Sequence, residues 1–446
     1  MFRTSRTNYP GADQQPHTLG QAFENRPNSL NAVRLSLAAT VVFSHSWHLG
    51  GYGEEPQMFR LGLGTWAVLA FFGISGYLIT RSRVSQESSW RFLRARILRI
   101  LPGLWFSVAL VAYAIAPTAA ALSGRIYSPA DAFSFIVHNG LFLSQPPGVS
   151  TIGETLSGLL DERFWNAPLW TLFWEAFCYV VVGLLGALLR PRLFAIAAAL
   201  LFVVGTAGIL LASRTEETSY WVSNGPIAPL TAFFAGSVIY LQEKRVHFSV
   251  KSVLGWLSLT GIVAATGLGN YLIFLPFIVC TLLFSLLVPL AHVGQRHDIS
   301  YGVYIYGWPV QQCLAMAGIQ KLFPPTIFAA VSLLAVLPFA WFSCVVVERP
   351  AQKLAKFMER KPGYPQMIRG TITVGKIGHI LNRKSFTLTH EQPPGRLRKS
   401  NTPKRASFKV GSETRARWNK RAVSTSKLRV EVSAPGNGLK RFINSS

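Results

Sequence analysis

Apolar residues gather into ten long runs over the first 350 positions, near 31–49, 61–80, 100–120, 168–189, 193–212, 228–241, 252–268, 271–291, 301–319 and 326–347. A helix needs about 20 mostly apolar residues to cross ~30 Å of hydrocarbon, and most of the runs come close to that length. They predict an all-α integral membrane protein with about ten transmembrane helices. The run at 228–241 is short and implies tilt, or neighbours that cover its ends. One further stretch, AFSFIVHNGLFLS at 132–144, is broken by His138, Asn139 and Gly140 and is the candidate for an eleventh span.

The positive-inside rule arbitrates between ten and eleven. The 81–99 segment carries six Arg and one Glu. The Arg190-Pro191-Arg192 turn, the loop from Glu243 to Lys251 and the chain after Glu348 are basic too. Acidic residues sit elsewhere, at Glu54 and Glu55, at Asp131, Glu154, Asp161 and Glu162, and at Glu216 and Glu217. Ten spans put every basic loop inside and every acidic one outside; eleven would turn the later basic loops outward. The expectation is therefore ten spans, both termini cytoplasmic, and an external loop over 121–167 whose apolar middle is re-entrant or interfacial.

Composition agrees, with half of the 446 residues apolar and 14% charged, against about 25% in soluble domains. So little charge cannot coat three soluble globules. The net charge of +25 is concentrated in a tail, since residues 361–446 hold 19 basic and 3 acidic side chains. That divides the chain into a polar segment 1–29, a membrane domain 30–357 and a basic tail 358–446, expected to be disordered. The tail's readings are a dispensable extension, association with anionic lipid or nonspecific nucleic-acid binding, with no specific nucleic acid expected. The four Cys lie singly inside apolar runs, which indicates neither a disulfide framework nor a metal site.

Ionisable groups inside spans are costly and mark functional candidates. The first span, LNAVRLSLAATVVFSHSWHL, carries Arg34, His45 and His48. Arg34 and His45 are eleven residues apart, within about 20° of one helix face and roughly 16 Å apart along the axis. They would touch one elongated ligand or one aqueous cavity at two depths. The plainer readings are a snorkelling anchor for Arg34 and a packing histidine for His45. Glu175 is the acid deep in the fourth span, at a depth comparable to His45. It would orient His45 as a general base, or simply bond to Trp170 or Tyr179. In RFLRARILRI (91–100), Arg96 and Arg99 face one way; they would face lipid phosphates or dock a polyanionic ligand bearing phosphates. The run Phe72-Gly73-Ile74-Ser75-Gly76-Tyr77 suits close helix packing.

Six ordered pieces of this chain resemble the acyltransferase-3 membrane proteins, which include bacterial O-antigen and exopolysaccharide O-acetylases. They are Arg34-x10-His45, FFGISGYLITRS (71–82), RARILRILPGLW containing Arg96-x-x-Arg99, PLWTLFWEAFCY (168–179), SYGVYIYGWPVQ (300–311) and VVVERPAQKL (345–354). The resemblance spans about residues 28–357. It implies about ten helices in a bacterial cytoplasmic (inner) membrane. It also implies transfer of an acyl group, acetyl in the simplest case, from cytoplasmic acyl-CoA to a hydroxyl of a cell-envelope or secreted glycan or glycolipid. No cofactor is bound; acetyl-CoA is a co-substrate. His45 becomes the catalytic histidine, Arg34 its companion, Glu175 the acid of the PLWxLxxE-like segment, and Arg96 and Arg99 the donor contacts. An acyl-enzyme on His45 is an equally allowed two-step version. The chain departs from the pattern at Asn31-Ala32, where an Asp-Gly pair is common, and at Gly307, where a histidine is frequent. The rival is a glycan or lipid transporter using the same Arg, His and Glu, against which stands the lack of an internal repeat.

Overall fold

A computed structural model describes residues 17–359, apart from 60, 87, 144–148, 213–224 and 267–271. The basic tail from 360 onward and Glu216 and Glu217 lie outside the described residues. The described chain is mostly helical, and each of the ten apolar runs forms a helix. These are α2 (Leu30–Gly50), α3 (Leu63–Ser85), α4 (Ser89–Leu110), α7 (Leu169–Leu188), α8 (Pro191–Ala212), α9 (Ile227–Leu241), α10 (Val250–Ala265), α11 (Phe274–Leu287), α12 (Ser300–Met316) and α13 (Pro325–Phe342). Five described helices are long and apolar enough to cross a membrane: Leu63–Ser85, Ser89–Ser123, Leu169–Leu188, Pro191–Leu211 and Pro325–Ala355. The second of these continues α4 through a π-turn, Val111–Ile115, into α5 (Ala116–Ser123). The fifth continues α13 through a second π-turn, Ser343–Glu348, into α14 (Arg349–Glu359).

The 132–144 stretch falls in α6 (Pro129–Gly140), twelve residues long and so about 18 Å from end to end. That is too short to cross, and it packs beside α4, where the Trp105 indole donates to the Gly140 carbonyl at 2.8 Å. Within the polar N-terminal segment, α1 (Leu19–Asn25) carries a capping box between Thr18 and Gln21 and buries Leu19, Ala22 and Phe23. It is tied down by the Leu19 N–H, which donates to the Val246 carbonyl at 2.8 Å.

Small residues let backbones approach where lipid supplies no hydrophobic drive between helices. A Cβ on Gly76 would overlap the Phe233 carbonyl, and one on Gly236 the Gly73 carbonyl, so α3 and α9 cross almost backbone to backbone. Gly307 plays the same part between α12 and α2: a Cβ there would meet Val42 at 2.7 Å. The place where a histidine is frequent is here a packing contact. The described core forms two clusters, one around α3, α9 and α11, the other around α4, α12 and the 149–168 loop. α2 belongs to both, giving Leu30 and Val33 to the first and Ala38 and Val42 to the second.

Candidate active site

Arg34, one turn into α2, donates to the Asp298 carboxylate at 2.7 Å. Asp298 precedes α12, where its other oxygen accepts from the Ser300 N–H at 3.2 Å and hydroxyl at 2.6 Å. Burial alone would raise the Asp298 carboxyl, but Arg34, Ser300 and Arg99 together hold it below the usual carboxylate range. Arg99, on α4, stands 3.8 Å from the same carboxylate. These groups wall a polar cavity of about 390 Å³, together with Glu175 and Glu348. Glu348 reaches it because of the π-turn. Pro350 has no N–H to give to the carbonyl of residue 346 and its ring crowds that group, and the Arg349 N–H reaches back to the Cys344 carbonyl instead. Such a widened turn is common at functional sites, and here Glu348 accepts from Ser343 at 3.0 Å.

Further along α2, three turns from Arg34, His45 lines a second cavity of about 200 Å³ with Ser44, Glu55, Trp170, Thr171 and Tyr304. Its imidazole meets the edge of Trp308 at 4.8 Å between ring centroids. Trp308 is fixed in turn by its indole N–H, which donates to the Phe164 carbonyl at 2.9 Å. The 149–168 loop folds over this end. Asp161 there accepts from His48 at 2.7 Å and from Arg163 at 2.9 Å, while Gln312 donates to its carbonyl at 2.9 Å. Burial would raise the Asp161 carboxyl, yet His48 and Arg163 bring it down to about 2.

Between the two cavities lies a neck of about 50 Å³ lined by Arg34, Ser75, Thr171, Glu175 and Tyr304. Arg34 and Glu175 also line the first cavity, and Thr171 and Tyr304 also line the second. The three spaces therefore adjoin through shared walls as a discontinuous passage, closed where the Thr171 and Tyr304 hydroxyls meet at 2.6 Å. Arg34, where the first cavity meets the neck, and His45, in the second cavity, lie on one face of α2 by their spacing.

The predicted orientation of His45 by Glu175 is not what the structure holds. The Glu175 carboxylate accepts from the Ser75 hydroxyl and the Tyr179 hydroxyl, each at 2.6 Å, and it faces the Arg34 end and the neck. Comparable depth on two helices does not put two side chains at the same angle around the bundle. The Arg96–Arg99 pair also divides. Arg99 lines the first cavity, whereas Arg96 does not and lies 6.0 Å from the Phe92 ring centroid. Sequence reasoning missed Asp298, Glu348, Thr171, Tyr304 and Glu55. Asp298 reads in sequence as an ordinary helix cap (Asp-Ile-Ser before an apolar run), and Glu55 sits in a loop. Thr171 and Tyr304 lie in quoted motifs without a charge to draw notice.

Comparison with known proteins points the same way. The family model described as an acyltransferase domain matches residues 28–345. An O-acetyl transferase of Shigella phage Sf6 is 29% identical over 325 residues, which is 71% of this chain and 94% of that protein. Nodulation protein 10 of Rhizobium leguminosarum bv. viciae is 26% identical over 354 residues, 73% of this chain and 94% of its own. No solved structure matches the chain. A family match covering most of the chain identifies this membrane protein as an acyltransferase of the acyltransferase-3 family.

Proposed function

We propose that the protein moves an acyl group, acetyl in the simplest case, from cytoplasmic acyl-CoA to a hydroxyl of a cell-envelope or secreted glycan, in a bacterial inner membrane. All ten helices α2–α4 and α7–α13 span the bilayer, with both termini cytoplasmic. The Arg34 end of the passage then faces the basic cytoplasmic loops and the His45 end faces outward. The observation that supports this reading is the run of adjoining cavities, the first of them strongly polar, whose shared walls lead from Arg34 to His45.

The donor's slender thioester arm enters past Arg34 and Arg99 and crosses the neck beside Glu175. The Thr171–Tyr304 contact parts to admit it, which brings the thioester carbonyl to the cavity of His45. His45 takes the proton of the acceptor hydroxyl, its oxygen attacks the carbonyl carbon, and the tetrahedral intermediate expels the thiolate. The thiolate recovers the proton from the imidazolium, so the products are ester and free thiol. Trp308, not Glu175, sets the plane of the imidazole. Glu175, braced by Ser75 and Tyr179, acts on the donor arm in the neck. Glycan acceptors reach the outer cavity from the membrane surface, where Trp170 and the hydroxyls of Ser44 and Thr171 provide a wall suited to a sugar.

The test is free-thiol release from acetyl-CoA by the detergent-solubilised protein, wild type against His45→Ala. Removing a general base costs about 10²- to 10⁴-fold, so release should fall to background while the variant elutes and melts as wild type. Undiminished release from the folded variant would sink the proposal.

A further inference from the structure

We propose that Arg296, Arg349 and Lys353 form a phosphate-binding rim at the mouth of the Arg34 cavity, taking the nucleotide end of the acyl donor. This inference rests on the donor reading above, and it moves phosphate recognition away from the Arg96–Arg99 pair to which the sequence motif points. All three side chains line the 390 Å³ cavity. They come from two sides: Arg296 from the loop between α11 and α12, and Arg349 and Lys353 from α14. On α14 the two cations are four residues apart and share a face, with the Gln352 amide between them also turned to the cavity.

What sets these cations apart is that each acid of the wall behind them is already engaged by a partner of its own, while they have no acidic partner among the described residues. Asp298 is held by Arg34 and Ser300, Glu175 by Ser75 and Tyr179, and Glu348 by Ser343. Arg99 already leans on Asp298, and Arg96 does not line the cavity. Among the described residues, none of Arg296, Arg349 and Lys353 has an acidic partner within ion-pair distance. Three cations without an acidic partner at ion-pair distance, around a polar opening, attract a polyanion. Two arginine forks and one ammonium are the usual donors for phosphate oxygens. Coming from two elements, they suit a coenzyme whose nucleotide carries phosphate at two points while its uncharged arm passes inward. The π-turn gives the arrangement a cause, because the same widening that turns Glu348 inward sets the start of α14, and so Arg349, at the opening.

The experiment uses 3′,5′-ADP, which carries ribose and nucleotide phosphates but no arm and no thioester, as the probe on full-length protein in detergent. Its dissociation constant is measured by calorimetry for wild type, for Arg349→Gln/Lys353→Gln and for Lys251→Gln, an exposed cation away from the cavity. Wild type and Lys251→Gln should bind equally. The double variant should bind at least about tenfold more weakly, the loss expected for a hydrogen bond to a charged group. Should the double variant fail to fold, Arg296→Gln, in the loop before α12, is read in its place. Equal binding by wild type and the rim variants, or no binding by wild type, overturns the rim. If wild type binds the probe through these residues yet never releases thiol from acetyl-CoA, the rim stands and the acyl-donor reading of the cavity behind it falls.

Discussion

Helices α3 and α8 are of similar length, 23 and 22 residues, and both are apolar enough to cross a bilayer, yet they occupy opposite places. α8 is the most apolar of the five candidate spans, and only 17% of its most apolar stretch is buried within the protein; for α3, less apolar, the share is 67%. In a soluble domain the more apolar helix would be the inner one. In lipid the tails are as apolar as leucine, so hydrophobicity gives no reason to be inside, and small and polar residues decide. α3 carries Gly64, Gly73 and Gly76 at its crossings and Ser75 on Glu175, whereas α8 turns Leu200, Val203 and Val204 outward. α2 extends the lesson. It has 21 residues, but Arg34, His45 and His48 keep it out of the candidate spans, and those residues line the passage or brace its wall. One of the weaker membrane signals marks the candidate site.

The comparison can be broken most forcefully at the α3–α9 crossing. Gly76→Leu would drive a side chain into the Phe233 carbonyl, where no flexible group can give way. Overpacking costs 1–3 kcal/mol where neighbours can shift, and about 3 kcal/mol or more is expected against rigid backbone. The variant should lose its monodisperse elution peak and its thermal transition. A stable Gly76→Leu protein would mean that the close crossing does not hold the interior together.

A smaller effect is expected at the ion pair of the passage. Both partners are mostly enclosed, with side-chain exposures of 16% for Arg34 and 27% for Asp298. Removing one partner of such a pair leaves an uncompensated charge, and losses run about 3–5 kcal/mol when burial is complete. Asp298→Ala should therefore cost about 2–3 kcal/mol of stability, read as a drop in melting temperature. Adding Arg34→Gln should restore part of that loss without restoring thiol release. If the double variant melts no higher than the single one, the pair is not what the interior tolerates Arg34 for.

How much of this was legible in the sequence follows from the same contrast. Apolar runs and loop charges carry the helices, because spacing along the chain maps directly onto length along a helix. The shared face of Arg34 and His45 was legible for that reason too, as both lie on one helix. The Ser75 partner of Glu175 was not, since it depends on how α7 is rotated against α3, and no periodicity within α7 states that. Tyr179 was foreseeable as a neighbour at i+4, while Ser75 comes from another helix. Asp298 and Glu348 stayed hidden because each lies at the edge of an apolar run, where an acid is unremarkable until the fold turns it inward. The 149–168 loop was read as external, but its hold on Trp308 and Gln312 needs backbone carbonyls that carry no sequence signature.

That loop offers a gentler test, read by pH. The Asp161 carboxyl is held at about 2, below its ordinary 3.8, by His48 and Arg163 against the cost of burial. A depressed carboxyl contributes stability that is fully present above its unfolded value and is lost as pH falls through the folded one. Wild-type melting temperature should thus decline from about pH 4 toward pH 2. Asp161→Asn should lack that part of the decline and start lower at neutral pH. Parallel pH profiles for the two proteins would show that Asp161 does not fasten the loop over His45.

The smallest effect is expected on α8, and it is the control that gives the others meaning. Val204 is 65% exposed and faces outward, so Val204→Leu exchanges one apolar group for another against lipid or detergent. Substitutions away from packed features usually fall within ±0.5 kcal/mol, and melting temperature and thiol release should both match wild type. Val204→Ser asks more, because the outward face must satisfy a hydroxyl with no water beside it. The hydroxyl can return to the carbonyl four residues back, as Thr206 already does to Phe202 at 2.9 Å, so this change too should cost under about 1 kcal/mol. A large loss from either substitution would place α8 in an interface, and the contrast between a polar interior and an apolar rim would then hold only for the helices around α2.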